Sequence, residues 1–83
     1  MAKRLVGVVR HFYQKIGVAV LDLESDLRVG QRISVEGPET DVQETVVSMQ
    51  VDKEQVEEAR AGSQVAVKME GKVREEDHVY LEG

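Results

Sequence analysis

The chain has no cysteine, tryptophan or asparagine, a single proline, and only three aromatic rings, Phe12, Tyr13 and Tyr80, among its 83 residues. Without cysteine there is no disulfide framework, no thiol nucleophile and no zinc site built on thiolates. Without asparagine there is no acceptor for N-glycosylation. Long apolar runs are missing too. The longest uninterrupted aliphatic stretch is Val18-Ala19-Val20-Leu21, against the roughly 20 residues needed to cross a bilayer. The start, Met1-Ala2-Lys3-Arg4, is basic, but no apolar segment follows it. No secretory signal or membrane partner is therefore expected, and the cytoplasm is the expected location.

What the chain has is valine: sixteen, against five leucines and two isoleucines. β-Branched side chains lose rotamer freedom in helices and pack well on pleated surfaces, so this bias favours strands. With 41% hydrophobic and 33% charged residues at 9.3 kDa, one globular domain over residues 1–83 is expected. The net charge of −5 is unevenly spread. Lys3, Arg4, Arg10 and Lys15 are the only charges in the first twenty residues, whereas five acids and no base lie between Arg32 and Lys53.

Period-2 stretches predict a first strand over Arg4–Tyr13 and a second over Ile16–Leu23, joined by a turn at Gln14-Lys15. Neither alternates cleanly, and the inward face of the first strand is left open by its pattern. Gly30 marks a turn before a short strand at Ile33–Val35, and Gly37-Pro38 is the clearest break. Val42–Val51 then reads as one long strand. From Asp52 to Arg60 the period changes: Asp52 with Gln55 three residues later has the form of a capping box, and one or two helical turns ending at Gly62 are expected. Ser63–Met69 and His78–Leu81 read as the last strands. A chain this short protects its strand edges best by closing the sheet, so the expected fold is all-β, a small closed six-stranded β-barrel with one short helical turn.

Catalytic signatures are scarce. The glycines are isolated at turns and build no phosphate-cradling loop. His11 and His78 lie far apart in sequence, and the carboxylates of Glu57-Glu58 and Glu75-Glu76-Asp77 read as solvated turns rather than paired acids facing one pocket. The serines sit in no nucleophile elbow. A non-enzyme without cofactor or metal is expected. One constellation suits binding: Arg10, Phe12, Tyr13 and Lys15, with Arg4 on the same strand, interleave bases and rings as a single-stranded nucleic acid requires.

Two blocks carry a resemblance. The turn Leu27-Arg28-Val29-Gly30-Gln31-Arg32-Ile33, followed by Val47-Ser48-Met49 and Val56-Glu57-Glu58-Ala59-Arg60-Ala61-Gly62-Ser63-Gln64-Val65, resembles the second domain of elongation factor Tu and its relatives. Lys15–Val20 and Val73–Tyr80 are similar to stretches of small stand-alone elongation-factor-like proteins. The barrel appended to some collagenase-like peptidase-family proteins is a related form. The resemblance implies a translation-factor barrel that contacts tRNA or ribosomal RNA beside a GTPase domain, with GTP bound by that other domain and not by this chain. It also places Ser48 and Gln64 at the family's pocket for the tRNA end, where the family carries a Glu and an Asn. Two readings follow: a translation-linked module binding RNA or the ribosome, or a protein-docking module or subunit that associates with a separate GTPase or enzyme.

Overall fold

A computed structural model describes residues 3–82. Its centre is β1 (Arg4–Tyr13), which pairs antiparallel with β2 (Val18–Leu23) on one side and β10 (His78–Leu81) on the other. Between these come β3 (Leu27–Arg28), β4 (Arg32–Gly37), β5 (Thr40–Thr45), β6 (Met49–Val51), β7 (Glu54–Val56), β8 (Glu58–Ala59) and β9 (Gln64–Lys68). Eight strands form one sheet in the order β5-β4-β10-β1-β2-β9-β6-β7, and β3 pairs with β8 separately. The all-β expectation holds. The six-stranded closed barrel does not describe this arrangement: there are ten strands, and no ladder among the described residues joins the end strands β5 and β7.

The sheet nevertheless curls about one core, which joins Val6 and Val9 of β1 to Ala19, Leu21 and Leu23 of β2, Ile33 and Val35 of β4, Met49 of β6, Val65 and Val67 of β9 and Val79 of β10. Where β5 and the segment leaving β9 approach each other, a side chain replaces a ladder. The Glu44 carboxylate accepts the backbone N–H groups of Glu70 at 2.9 Å and Gly71 at 2.5 Å.

β1 has no clean alternation because it carries two irregularities. Its register slips between Leu5 and Gly7 against β10 and between Val9 and His11 against β2, leaving Val6 and Arg10 as the extra residues. A bulge re-phases every side chain beyond it. Val9 faces Leu21, and the next inward residue is Phe12, opposite Ala19. The spacing is three instead of two. Gly7 is buried here, and a Cβ at this position would strike the carbonyl oxygen of Asp22.

Two sequence expectations are corrected between residues 42 and 60. The long strand breaks after Thr45: β5 pairs with β4, whereas β6 pairs with β9 and β7. At the switch Val46 is buried and exchanges backbone hydrogen bonds with Gly30 and Gln31, while Val47 next to it is 63% exposed. The helical turn is absent. Asp52 and Lys53 both have positive φ, 51° and 68°, and close a two-residue hairpin between β6 and β7, the dihedral pattern of a type I′ turn. Gln55 lies opposite Gln50 in that hairpin instead of completing a capping box. No helix among the described residues is long and apolar enough to cross a membrane.

Candidate interaction face

The antiparallel registers align the outward side chains of β1, β2, β9 and β6 into rows. His11, Val20, Ala66 and Gln50 lie side by side across the four strands, and Tyr13, Val18 and Lys68 make the next row. Ala66 is the smallest of these side chains and sits between Val20 and Gln50, which leaves a depression above it. One hollow of about 590 Å³ runs from Tyr13 over Val20 and Ala66 to Lys53, and another of about 330 Å³ continues past Ile16, Val18 and Ser48. Lys68 joins the second hollow to a third, of about 440 Å³, beside Val47.

Three of the four large apolar side chains that the described residues leave exposed lie around this face: Tyr13 at 50%, Ile16 at 59% and Val47 at 63%. Exposed apolar side chains gathered around one face, with polar groups among them, make it the candidate surface for an interaction. The rim is mixed in charge. Asp22 accepts the Gln64 amide at 3.0 Å and pairs with Arg10 Nε at 3.5 Å. The Lys68 ammonium donates to the carbonyl of Ile16 at 3.0 Å, and the Gln55 amide donates to the Ser48 hydroxyl at 3.1 Å.

The residues singled out from sequence scatter over this geometry. Tyr13, Ser48 and Gln64 line the face. Arg10 is the bulge residue of β1 and is held by Asp22. Lys15 is exposed in the turn between β1 and β2, and Arg4 lies at the far end of β1, opposite Leu81. Phe12 points to the other side of the sheet, where it packs against the core. Adjacent strand residues face opposite ways, so Phe12 and Tyr13 do not form one stacking platform. Ile16, Val18, Val20, Val47 and Ala66 were missed as face residues. The signal was the unbroken run Val18–Leu21: only alternate members of a strand can reach one core, so two of the four had to face outward.

The acidic turn Glu75-Glu76-Asp77 is solvated only in part. Asp77 is 2% exposed, and its carboxylate accepts the backbone N–H of Arg74 at 2.8 Å. His11 Nδ1 lies 2.8 Å from the Glu75 carboxylate on the exposed surface. Among the described residues no three His, Asp or Glu side chains gather to hold a metal.

No family model matches the chain. It is 44% identical over 77 residues, 92% of its length, to an uncharacterized protease of Methanocaldococcus jannaschii. That match takes up 19% of the protease, so the chain spans about a fifth of this relative. The likeness is to one part of a protease. Among solved structures, the fold superimposes on the C-terminal domain of a Geobacillus thermoleovorans protein named as a U32 peptidase, with a TM-score of 0.90 at 17% identity, covering 96% of this chain and 93% of that domain. The selenomethionine form of the same domain gives 0.86 at 16% identity, with 92% and 96% covered. At such identities the two structures speak for the fold alone.

These findings overturn the elongation-factor resemblance and the translation-linked reading drawn from it. The relative that the sequence matches is named as a protease and not as a translation factor, and it does not clearly favour the other reading, a protein-docking module or subunit of a separate GTPase or enzyme. The motifs misled for a physical reason. Gly30 and Gly62 hold φ values of 98° and 89° at tight turns, and Ala59, Val65 and Met49 beside the motifs are core residues. Residues that a backbone demands recur wherever that backbone recurs, whatever the function.

Proposed function

We propose that the chain is a non-catalytic accessory domain of the type seen at the C-terminus of the U32 peptidase, and that its outer face holds polypeptide for a catalytic unit. The observation that carries this reading is the 44% identity to a segment amounting to 19% of a protease. A segment of that size is a domain's worth of chain, and the greater part of the protease lies outside it. The face supports the second half of the reading. Its apolar floor at Val20 and Ala66 suits side chains of an extended segment, and the amides of Gln50 and Gln64 at its edge can pair with peptide groups. The apolar floor favours contacts that tolerate salt, since salt screens only the exposed charges of the rim. We read the curled sheet, tied across at Glu44, as the rigid support for this face, and the cytoplasm as its setting.

The test has two arms. Purified chain incubated with labelled, unfolded casein should release no fragments. In a backbone-amide NMR titration, the same casein should shift Tyr13, Val20, Gln50 and Ala66 to a similar extent at low and near-physiological salt. Cleavage by the chain alone would refute the non-catalytic role. Shifts that avoid these residues would remove the outer face as the binding surface.

A further inference from the structure

The two end strands of the sheet are not protected alike. β7 has three residues, too few to offer much of a template. β5 has six, and it pairs with β4 from Thr40 to Thr45 without a register slip. The chain's proline stays in the turn before it. Gly37 and Thr40 flank the two-residue turn Pro38-Glu39, so this pair exchanges backbone hydrogen bonds. Bonded and non-bonded pairs alternate from there, and the backbone N–H and C=O groups of Asp41, Gln43 and Thr45 therefore point away from β4. Among the described residues no backbone group pairs with them, and all three residues are exposed. The segment that crosses near β5 meets it from the inner side, where Gly71 lies against the side chains of Val42 and Glu44. Glu44 is an inward charge of the kind that guards an edge, but its carboxylate is already taken up by the N–H groups of Glu70 and Gly71.

The side chains along this edge say what kind of strand it fits. On the outer surface Asp41 stands opposite Glu36, and Thr45 opposite Arg32, whose Nη1 donates to the Thr45 hydroxyl at 3.3 Å. One end of β5 is thus acidic and the other basic. Asp41 forms no ion pair with any described residue, and Arg32 has only a loose one, 3.8 Å from Glu82. An antiparallel copy of β5 with Gln43 facing Gln43 sets Asp41 of each chain opposite Thr45 of the other. The outer row then runs Glu36, Asp41, and Thr45 and Arg32 of the second copy, and two-fold symmetry repeats it on the other side. Acid meets base in both rows. Sliding the strands until Asp41 faced Asp41 would set like charges together, so charge selects the register as well as the partner.

We propose that the β5 edge is an interface for a second copy of this chain, the two strands pairing antiparallel about Gln43 so that the two sheets become one. The backbone groups of Asp41, Gln43 and Thr45 find their partners there, and Arg32 of each chain meets Asp41 of the other. An edge-to-edge contact buries little surface, so the dimer is weak and in exchange with monomer, with a Kd in the range of about 10 μM to about 1 mM. The inference does not rest on the outer face over β1, β2, β9 and β6, which the pairing leaves open.

Sedimentation equilibrium of the intact chain should show a monomer–dimer equilibrium within that range. In the concentrated protein the amides of Asp41, Gln43 and Thr45 should exchange more slowly than in the dilute protein, with those of β7 unchanged. In a sample mixing labelled and unlabelled chains, an intermolecular Hα–Hα contact should join Val42 to Glu44, the pair that the register brings closest. Asp41→Lys puts a lysine against Arg32, and Arg32→Glu puts a glutamate against Asp41. Each variant alone should dimerise at least about tenfold more weakly. An equimolar mixture of the two should recover the wild-type affinity, because both rows are then matched again. Both positions are exposed, and urea unfolding of each variant checks that the monomer is intact. A chain that stays monomeric at millimolar concentration would overturn the proposal. So would a dimer whose protection lies at Tyr13, Val20 and Ala66 instead of β5, or single variants whose mixture recovers nothing.

Discussion

The two faces of β2 hold similar side chains in opposite circumstances. Ala19, Leu21 and Leu23 point inward and are at most 4% exposed. Val18 and Val20, one position away on the same strand, point outward and are only half-buried. The inner set completes the core with Val9, Val67 and Val79. The outer set completes nothing within the chain, since Ala66 and Gln50 beside it leave a depression rather than a contact layer. An apolar side chain that the core does not use still costs free energy when water meets it, at roughly 25 cal/mol per Å². The difference between the faces separates residues that make the fold from residues that the fold presents.

Leu21→Ala against Val20→Thr is the sharpest way to break that comparison. Leu21 is fully buried, and truncating such a side chain costs about 2–5 kcal/mol through lost transfer energy and the cavity left behind. Val20→Thr keeps the β-branched shape at a half-exposed strand site and should change stability by no more than about 0.5 kcal/mol. Urea unfolding measures both. Val20→Thr should instead weaken casein binding. If both variants lost comparable stability, the outer valines would be part of the core and the face would have no separate role.

Gly7→Ala tests the inner face from the other direction, by addition. The new Cβ would meet the Asp22 carbonyl oxygen across the β1–β2 pair, and overpacking of this kind costs on the order of 1–3 kcal/mol. The clash involves backbone on both sides, so no side-chain rotation relieves it. Urea midpoints should fall, and amide exchange should quicken first at Val8, Val9 and Leu21, whose ladder holds the two strands together.

The same contrast explains what the sequence made legible. β2, β9 and β10 could be read as strands because none of them carries a bulge, whereas β1 was legible as a strand but its two register slips hid which side faces inward. Residues 42–60 resisted reading. Val42–Val51 is uniformly strand-like, yet the chain changes partners at Val46, and alternation has no means of recording a change of partner. The hairpin at Asp52-Lys53 takes positive φ at two non-glycine residues, so the usual glycine signal of that turn was missing. At the candidate face, attention went to the bases Arg4, Arg10 and Lys15 because charge is conspicuous. The outward valines were not singled out, because a residue's type does not reveal which side of the sheet it takes.

Glu44 extends the comparison from the two faces to the two ends of the sheet. At the β5 end its carboxylate caps the N–H groups of Glu70 and Gly71. At the β7 end the strand has three residues and ends the sheet order. Glu44→Gln keeps one acceptor but loses the charge that strengthens both bonds, and about 1 kcal/mol of stability should go with it. Hydrogen exchange should rise at Glu70 and Gly71 and stay unchanged in β7. A uniform rise across the sheet would mean that Glu44 supports the whole fold rather than one junction.

The smallest expected effect lies on the outer surface away from the apolar face. There Lys3 donates to the Glu36 carboxylate, which also accepts the Ser34 hydroxyl at 3.0 Å. The hydrogen bond from Lys3 holds the Glu36 carboxyl below its ordinary value of 4.5, and the Ser34 hydroxyl adds to this. The same bond raises Lys3 above its ordinary 10.5. The contribution of Glu36 to stability is present in full above pH 4.5 and is lost as the pH falls through its lowered folded-state pKa. That of Lys3 is present in full below pH 10.5 and is lost as the pH rises through its raised folded-state pKa. The pair therefore supports the fold between those limits and fades outside them. A side-chain carboxyl NMR titration should find Glu36 below the other exposed glutamates, and Lys3→Ala should move it up toward 4.5 without restoring it fully, because Ser34 remains. If Lys3→Ala left the Glu36 titration in place, Ser34 alone would be holding the carboxylate, and this surface would owe its order to the sheet and not to charge.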